Sequence, residues 1–228
     1  PAAPPPARRL LFVGDSVTCG ACTELMPPDW PEGHANCNAA RSFGMELGRR
    51  LDAAVHLVSY GGRGLMRDWQ GLDHERDGIA TAPVFFERAL PDDPASVWDH
   101  ASWTPDAVVV GLGTNDFNQG ITDEKTWVAA YDRFLARIRA VHAQAWILIT
   151  SSAMFGPRLD NGDVAKAAAL AHYLDEVVAL RQQGRDRRVE RVLYRHQPGC
   201  GRNGHPNAPQ HQQMADDLEP VLRARLGW

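Results

Sequence analysis

The sequence predicts a single domain of the three-layer α/β/α kind, in which a five-stranded parallel sheet carries helices on both faces. Two observations lead there. The most apolar stretches, Leu10–Val13, Val108–Leu112 and Trp146–Ile149, are short and apolar throughout, as strands are when both sheet faces are covered. Between them lie segments of helical spacing, the alternation expected of right-handed crossovers in a parallel sheet.

The elements follow in order. Residues 1–7, Pro and Ala only, favour an extended polyproline conformation and read as a linker, leaving residues 8–228 as the folded domain. Arg9–Val13 is the first strand, residues 39–51 carry helical spacing, and Val55–Tyr60 is the second strand. Residues 61–82, rich in Gly, Asp and Arg, form a loop, and a short helix is expected at Val84–Leu90. Ala107–Leu112 is the third strand. Asp123–His142 has apolar residues at 127, 128, 131, 134, 135, 138 and 141, one face of a helix. Ala145–Thr150 is the fourth strand, Asp163–Arg181 a helix, Val189–Tyr194 the fifth strand and Pro209–Leu226 the closing helix. Trp127 and Trp146 fall inside these elements and are expected in the core. No internal repeat is present.

Composition narrows the function classes. The chain has 228 residues, 44% hydrophobic and 23% charged, enough for one core. No apolar run approaches the roughly 18 residues that cross a bilayer. With a net charge of −4 and no basic cluster denser than Arg185–Arg188, the footprint of a nucleic-acid binder is missing. Seven Trp and seven Phe argue against disorder. Neither membrane nor nucleic acid is therefore an expected partner, and nothing requires more than a monomer. The four cysteines, Cys19, Cys22, Cys37 and Cys200, do not form a paired zinc or redox pattern; an oxidising compartment with at least one disulfide is the favoured reading, Cys22–Cys37 first, with buried thiols the alternative.

In a parallel α/β sheet ligands bind beyond the carboxyl ends of the strands. There the sequence places Gly14-Asp15-Ser16, then Gly61-Gly62-Arg63-Gly64, then Gly113-Thr114-Asn115-Asp116, and before the last helix Gly204-His205-Pro206-Asn207. Together they suit acyl transfer. A serine at a strand-to-helix turn presents its hydroxyl beside its own N–H, a glycine and an asparagine amide add donors for an oxyanion, and a histidine moves the proton. Read alone, Ser16 would be an ordinary helix cap; the other three groups at matching strand ends argue otherwise. Asp15 and Asp116 are expected to organise loops as hydrogen-bond acceptors. The Gly-Lys-Ser/Thr ending of a phosphate loop is absent.

These blocks, in this order and over residues 8–226, resemble those of the SGNH (GDSL) hydrolase superfamily, whose sandwich is flavodoxin-like. Phe12–Gly20, Ser59–Leu65 and Gly111–Phe117 are most similar to carbohydrate esterase family 2, the acetylxylan esterase-like enzymes. The resemblance implies Ser16 as nucleophile, His205 as base, and an oxyanion hole of the Ser16 N–H, the Gly62 N–H and the Asn115 side chain, with neither cofactor nor metal. It implies a secreted or periplasmic enzyme removing O-acetyl groups from an acetylated polysaccharide, and likens the Pro-rich start to a linker behind a missing upstream domain. One departure stands out: the superfamily's usual Asp three residues before the histidine is here Arg202. The resembled family includes members whose histidine is oriented by a main-chain carbonyl, which makes Asn203, by side chain or backbone, the candidate orienter.

Trp30 and Trp69 could wall a sugar site or pack a lid, and Arg63 and Arg67 could reach substrate hydroxyls; Trp30, Arg63 and Trp69 are the substrate-binding candidates. His34, His74 and His211 are expected at the surface, without metal-ligand spacing. Three other readings remain: a GDSL-type lipid or aryl esterase or thioesterase, a non-hydrolytic carbohydrate-binding module, and a flavodoxin-like phosphate- or flavin-binding protein, which leaves Asn115 and His205 without a role.

Overall fold

In the computed structural model, residues 6–24, 36–155, 163–195 and 204–228 are described. Five parallel strands, β1 (Arg8–Gly14), β2 (Ala53–Ser59), β3 (Ala107–Gly111), β4 (Trp146–Thr150) and β5 (Val189–Val192), form one sheet in the order β2-β1-β3-β4-β5. Leu10 pairs with Val55 on one side and Ala107 on the other, and Ile147 pairs with Val189. The order reverses about β1, so the loops after β1, β2 and β3 meet at one end of the sheet, where such folds bind ligands.

The apolar strands alternate their side chains between two cores, which explains why they read as apolar throughout. One face of the sheet turns Leu11, Val13, Val108, Val110, Ile147 and Ile149 toward helices α4 (Glu124–Val141) and α5 (Asp163–Gln183), where Trp127, Leu135 and Leu174 are fully buried or nearly so. The other turns Leu10, Phe12, Val109 and Leu148 toward helices α1 (Phe43–Leu51) and α6 (Ala208–Leu226), meeting Phe43, Leu47, Leu218 and Leu222. At about 1.5–3 kcal/mol for each large apolar side chain buried, these two layers dominate the stability. Cap chemistry sets the helix ends. Asp123 accepts from Thr126 N at 2.9 Å to open α4, and Asn207 and Gln210 cap each other's backbone N–H to open α6.

Four expectations need correction. The helix expected at Val84–Leu90 is a single turn at Ala82–Phe85, numbered α3 after the one-turn α2 (His74–Asp77). Beyond it the chain folds back: Trp98 N donates to Glu87 O and Ala89 N to Ser96 O, which removes the backbone groups a longer helix would need. No disulfide joins Cys22 to Cys37. Asn36 stands between them instead, donating from Nδ2 to Cys22 Sγ at 3.5 Å and accepting from Cys37 Sγ at 3.7 Å. Trp146 is only half-buried, with the Arg225 guanidinium 5.2 Å over its ring. His211 is fully buried, not at the surface: it stacks parallel on Phe43, and its Nδ1 accepts from Phe43 N at 3.1 Å. His74 is exposed as expected, and His34 lies outside the described residues.

Burial holds His211 down to about 4, from the usual 6.5, and does the same to His142, whose two ring nitrogens have no hydrogen-bond partner among the described residues. The unfolded chain therefore protonates these histidines first as pH falls, so their contribution to stability is complete above pH 6.5 and is lost toward pH 4. Replacing both with Gln is expected to reduce proton uptake on unfolding in that window by up to about two. Urea unfolding followed as a function of pH would read this as a flatter dependence of stability between the two values.

Candidate active site

The nucleophile candidate sits where β1 ends. After Gly14 the chain makes one helical turn, with Cys19 N bonded to Asp15 O and Ala21 N to Ser16 O, and stops there because Gly20 and Cys22 take left-handed φ values of 75° and 59°. The first strand therefore leads into a lone turn, and Ser16 does not cap it. Its Oγ lies 2.8 Å from His205 Nε2, 189 residues along the chain. His205 is carried on Gly204–Asn207, immediately before α6.

Three loops are fastened around this pair. Asp15 is buried and accepts from Val17 N (3.0 Å) and Asn115 Nδ2 (3.1 Å). Asn115 Nδ2 also donates to Arg63 O at 3.1 Å, so both its amide hydrogens have acceptors within the protein. Asp116, fully buried, accepts from Leu65 N and Met66 N at 2.8 Å each and ties the glycine loop to the end of β3. Gly64 has to be glycine, since a Cβ there would lie 2.4 Å from Asp116 Oδ2. Burial pushes the Asp15 carboxyl up to about 7 and raises Asp116 as well, against the lowering effect of these N–H donors.

Gly62 takes φ +76°, and a Cβ on it would come within 2.9 Å of Trp69 Cδ1, so the indole packs directly on the glycine. Trp69 is held there by its backbone: its N–H donates to Gly62 O, and its carbonyl accepts from Asn118 Nδ2 and Gln119 Nε2, all at 2.9 Å. Half of its surface remains exposed and forms a wall of a cleft of about 820 Å³ that also contains Ser16, Gly62, Asn115 and His205. Among the described residues neither the Ser16 nor the Gly62 N–H donates a hydrogen bond. Two free amide donors beside a hydroxyl bonded to an imidazole are what a nucleophilic serine and a developing oxyanion require.

Four of the residues selected from sequence thus meet, and Trp69 joins them. Arg63 does not face the cleft: its guanidinium lies 5.0 Å over the Tyr60 ring and bonds to Asp68, while its carbonyl holds Asn115. Arg67 bonds to the Asp116 and Gly120 carbonyls. Trp30, Asn203, Arg202 and Cys200 lie outside the described residues. Sequence reasoning missed Tyr60, Asn118, Met154 and Cys37 in the cleft wall. Tyr60 and Met154 follow β2 and β4 and were open to the strand-end rule; Cys37 arrives from the far end of a loop and gave no signal. Among the described residues no group of three or more His, Cys, Asp or Glu is placed to hold a metal.

The family profile described as GDSL-like Lipase/Acylhydrolase matches residues 12–213. The chain belongs to this family. It is 38% identical over 224 residues to an acetylxylan esterase / glucomannan deacetylase of Cellvibrio japonicus, covering 98% of this chain and 58% of that protein. A solved family two carbohydrate esterase from Cellvibrio japonicus superposes with a TM-score of 0.88 at 37% identity, over 100% of this chain and 64% of the other. Another from Clostridium thermocellum, solved in complex with cellohexaose, gives 0.86 at 27% identity, over 100% and 67%. The chain spans less than two thirds of both Cellvibrio proteins. The five-stranded sandwich and the resemblance to family 2 carbohydrate esterases, both expected from sequence, are borne out.

The Asp116 clamp makes a prediction of its own. Asp116→Ala would strip acceptors from the Leu65 and Met66 N–H groups, at about 1–3 kcal/mol for each buried donor left unsatisfied. The expected result is a loss of a few kcal/mol in urea unfolding, with faster amide hydrogen exchange at Leu65 and Met66 than at the strand amides.

Proposed function

We propose that the protein is a serine esterase that removes O-acetyl groups from carbohydrate, with xylan and glucomannan, named for its relatives, as the substrate class. The observation that carries the reading is the 2.8 Å contact of Ser16 Oγ with His205 Nε2 beside two N–H donors that make no other bond. Ser16 Oγ attacks the acetyl carbonyl as His205 takes its proton, and the oxyanion collects the Ser16 and Gly62 N–H groups. Asn115 adds its Nδ2 by sharing or releasing one of its two present acceptors. The C–O bond to the sugar then breaks, His205 returns the proton to the departing hydroxyl, and acetyl-Ser16 remains. Water attacks that ester with His205 again as base, releasing acetate and restoring the serine.

Trp69 is the proposed apolar platform for a sugar ring, exposed at the cleft wall and braced against Gly62. Arg63 is better suited to holding Tyr60 and Asn115 than to touching substrate. Asn203 remains the proposed orienter of His205, the chain from residue 8 onward the catalytic domain, and a secreted or periplasmic location fits a polysaccharide substrate. No helix among the described residues is long and apolar enough to cross a membrane.

The test is hydrolysis of 4-nitrophenyl acetate against 4-nitrophenyl octanoate, followed by acetate release from acetylated xylan and glucomannan. Acetate is expected to be strongly preferred, and Ser16→Ala and His205→Ala are each expected to lower kcat by about 10³-fold or more. Preference for octanoate would move the assignment to a lipid esterase. A folded wild type inactive on every ester, yet binding the polysaccharides, would make it a binding module.

A further inference from the structure

Beside the turn that carries Ser16 lies a small cavity of about 20 Å³, lined by both apolar and polar side chains. Its wall includes Asp15, Thr150 at the end of β4 and Tyr194 just after β5, all 6% exposed or less. Two hydroxyls there are orphaned. Thr150 Oγ1 and Tyr194 OH are neighbours, yet neither meets hydrogen-bonding geometry with the other or with any described residue. Of the neighbouring hydroxyls, Ser151 Oγ accepts from Tyr194 N, and Ser152 Oγ accepts from Thr114 Oγ1 and Met154 N. Asp15 has one N–H donor on each carboxylate oxygen, which leaves each oxygen a further lone pair.

A polar space needs roughly 10–15 Å³ and two to four partners to hold one water. This one has the volume and three buried polar side chains in its wall, and a buried hydroxyl without a partner costs free energy that such a water removes. We propose that a single buried water, bonded to Thr150 Oγ1, Tyr194 OH and the Asp15 carboxylate, is an integral part of this site, and that Tyr194 is through it a positioning residue for the Ser16 turn. The water accepts from one hydroxyl and donates to Asp15, giving the carboxylate a third donor beside Val17 N and Asn115 Nδ2. It thereby holds Asp15 in the orientation that fixes the Ser16 loop and the Asn115 amide. The ends of β4 and β5, which contribute nothing to the nucleophile directly, become its support.

The kinetic arm of the test rests on the esterase reading; the crystallographic arm does not. A high-resolution crystal structure of the wild type should show one water within hydrogen-bond distance of all three groups, and Tyr194→Phe and Thr150→Val should each weaken or lose it. Each variant is expected to lower kcat for 4-nitrophenyl acetate by about 3- to 10-fold with KM unchanged, the scale of one hydrogen bond. The double variant should be no slower than the slower single, because both remove the same water. No density at that position in the wild type would overturn the proposal. So would variants that lose thermal stability while keeping kcat, or additive losses in the double variant. An inactive wild type would overturn the esterase reading instead, and the density would still decide whether the water is there.

Discussion

The burial of two carboxylates, Asp15 and Asp116, at one end of the sheet is the constraint on which the site depends. A buried carboxylate without donors is costly, and two close together repel each other. The proximity of Asp116 adds to burial in raising Asp15. The fold meets this cost with backbone: Val17 N for Asp15, and Leu65, Met66 and Arg67 N for Asp116. Asn115 completes the arrangement by donating to Asp15 and to the glycine-loop carbonyl of Arg63. The loops after β1, β2 and β3 therefore form one hydrogen-bonded unit, and the amides of Ser16 and Gly62 keep a fixed separation because both belong to it. Removing either carboxylate would free a loop, not just a side chain.

That unit also bears on where charge stabilisation can come from. A full helix behind Ser16, the proposed nucleophile, would bring its macrodipole to bear on an oxyanion. Here Gly20 and Cys22 stop the chain after a single turn, so the dipole is that of a few peptides. Stabilisation falls to discrete donors, and discrete donors act only if they are held in place before the reaction. The hydrogen-bonded carboxylates supply that rigidity.

The sheet and the order of its elements were legible because strands buried on both faces leave an unmistakable apolar signature, as in Val108–Val110. The meeting of Ser16, Gly62, Asn115 and His205 could be inferred because each lies at a strand end or just before α6, where topology leaves little choice. What could not be read depends on contacts between segments distant in sequence. Trp69 could be named as a candidate wall but not chosen over lid packing: it faces the cleft because its backbone pairs with Gly62 and Asn118, and nothing in its local sequence encodes that pairing. His211 looked like a surface residue of an amphipathic helix, yet its ring replaces an apolar side chain against Phe43 since it also caps a backbone N–H of α1. The cysteine count suggested a disulfide, Cys22–Cys37 first, and one intervening asparagine side chain satisfies both thiols instead.

His205 has a separate support. It leads into α6, which packs with α1 on the sheet face opposite α4 and α5. Three ties fix the start of α6: the Asn207–Gln210 capping box, Ala208 N to Thr23 O at 3.0 Å, and Phe43 N to His211 Nδ1. The second of these runs straight to the segment that follows the Ser16 turn, so the Ser16–His205 distance is set by neighbouring backbone more than by the far side of the sheet. Such ties locate the imidazole but do not choose its tautomer, which depends on what Nδ1 donates to. Position and protonation are thus separate problems in this site. The first is solved downstream of His205 by the helix, and the second is the role proposed above for Asn203.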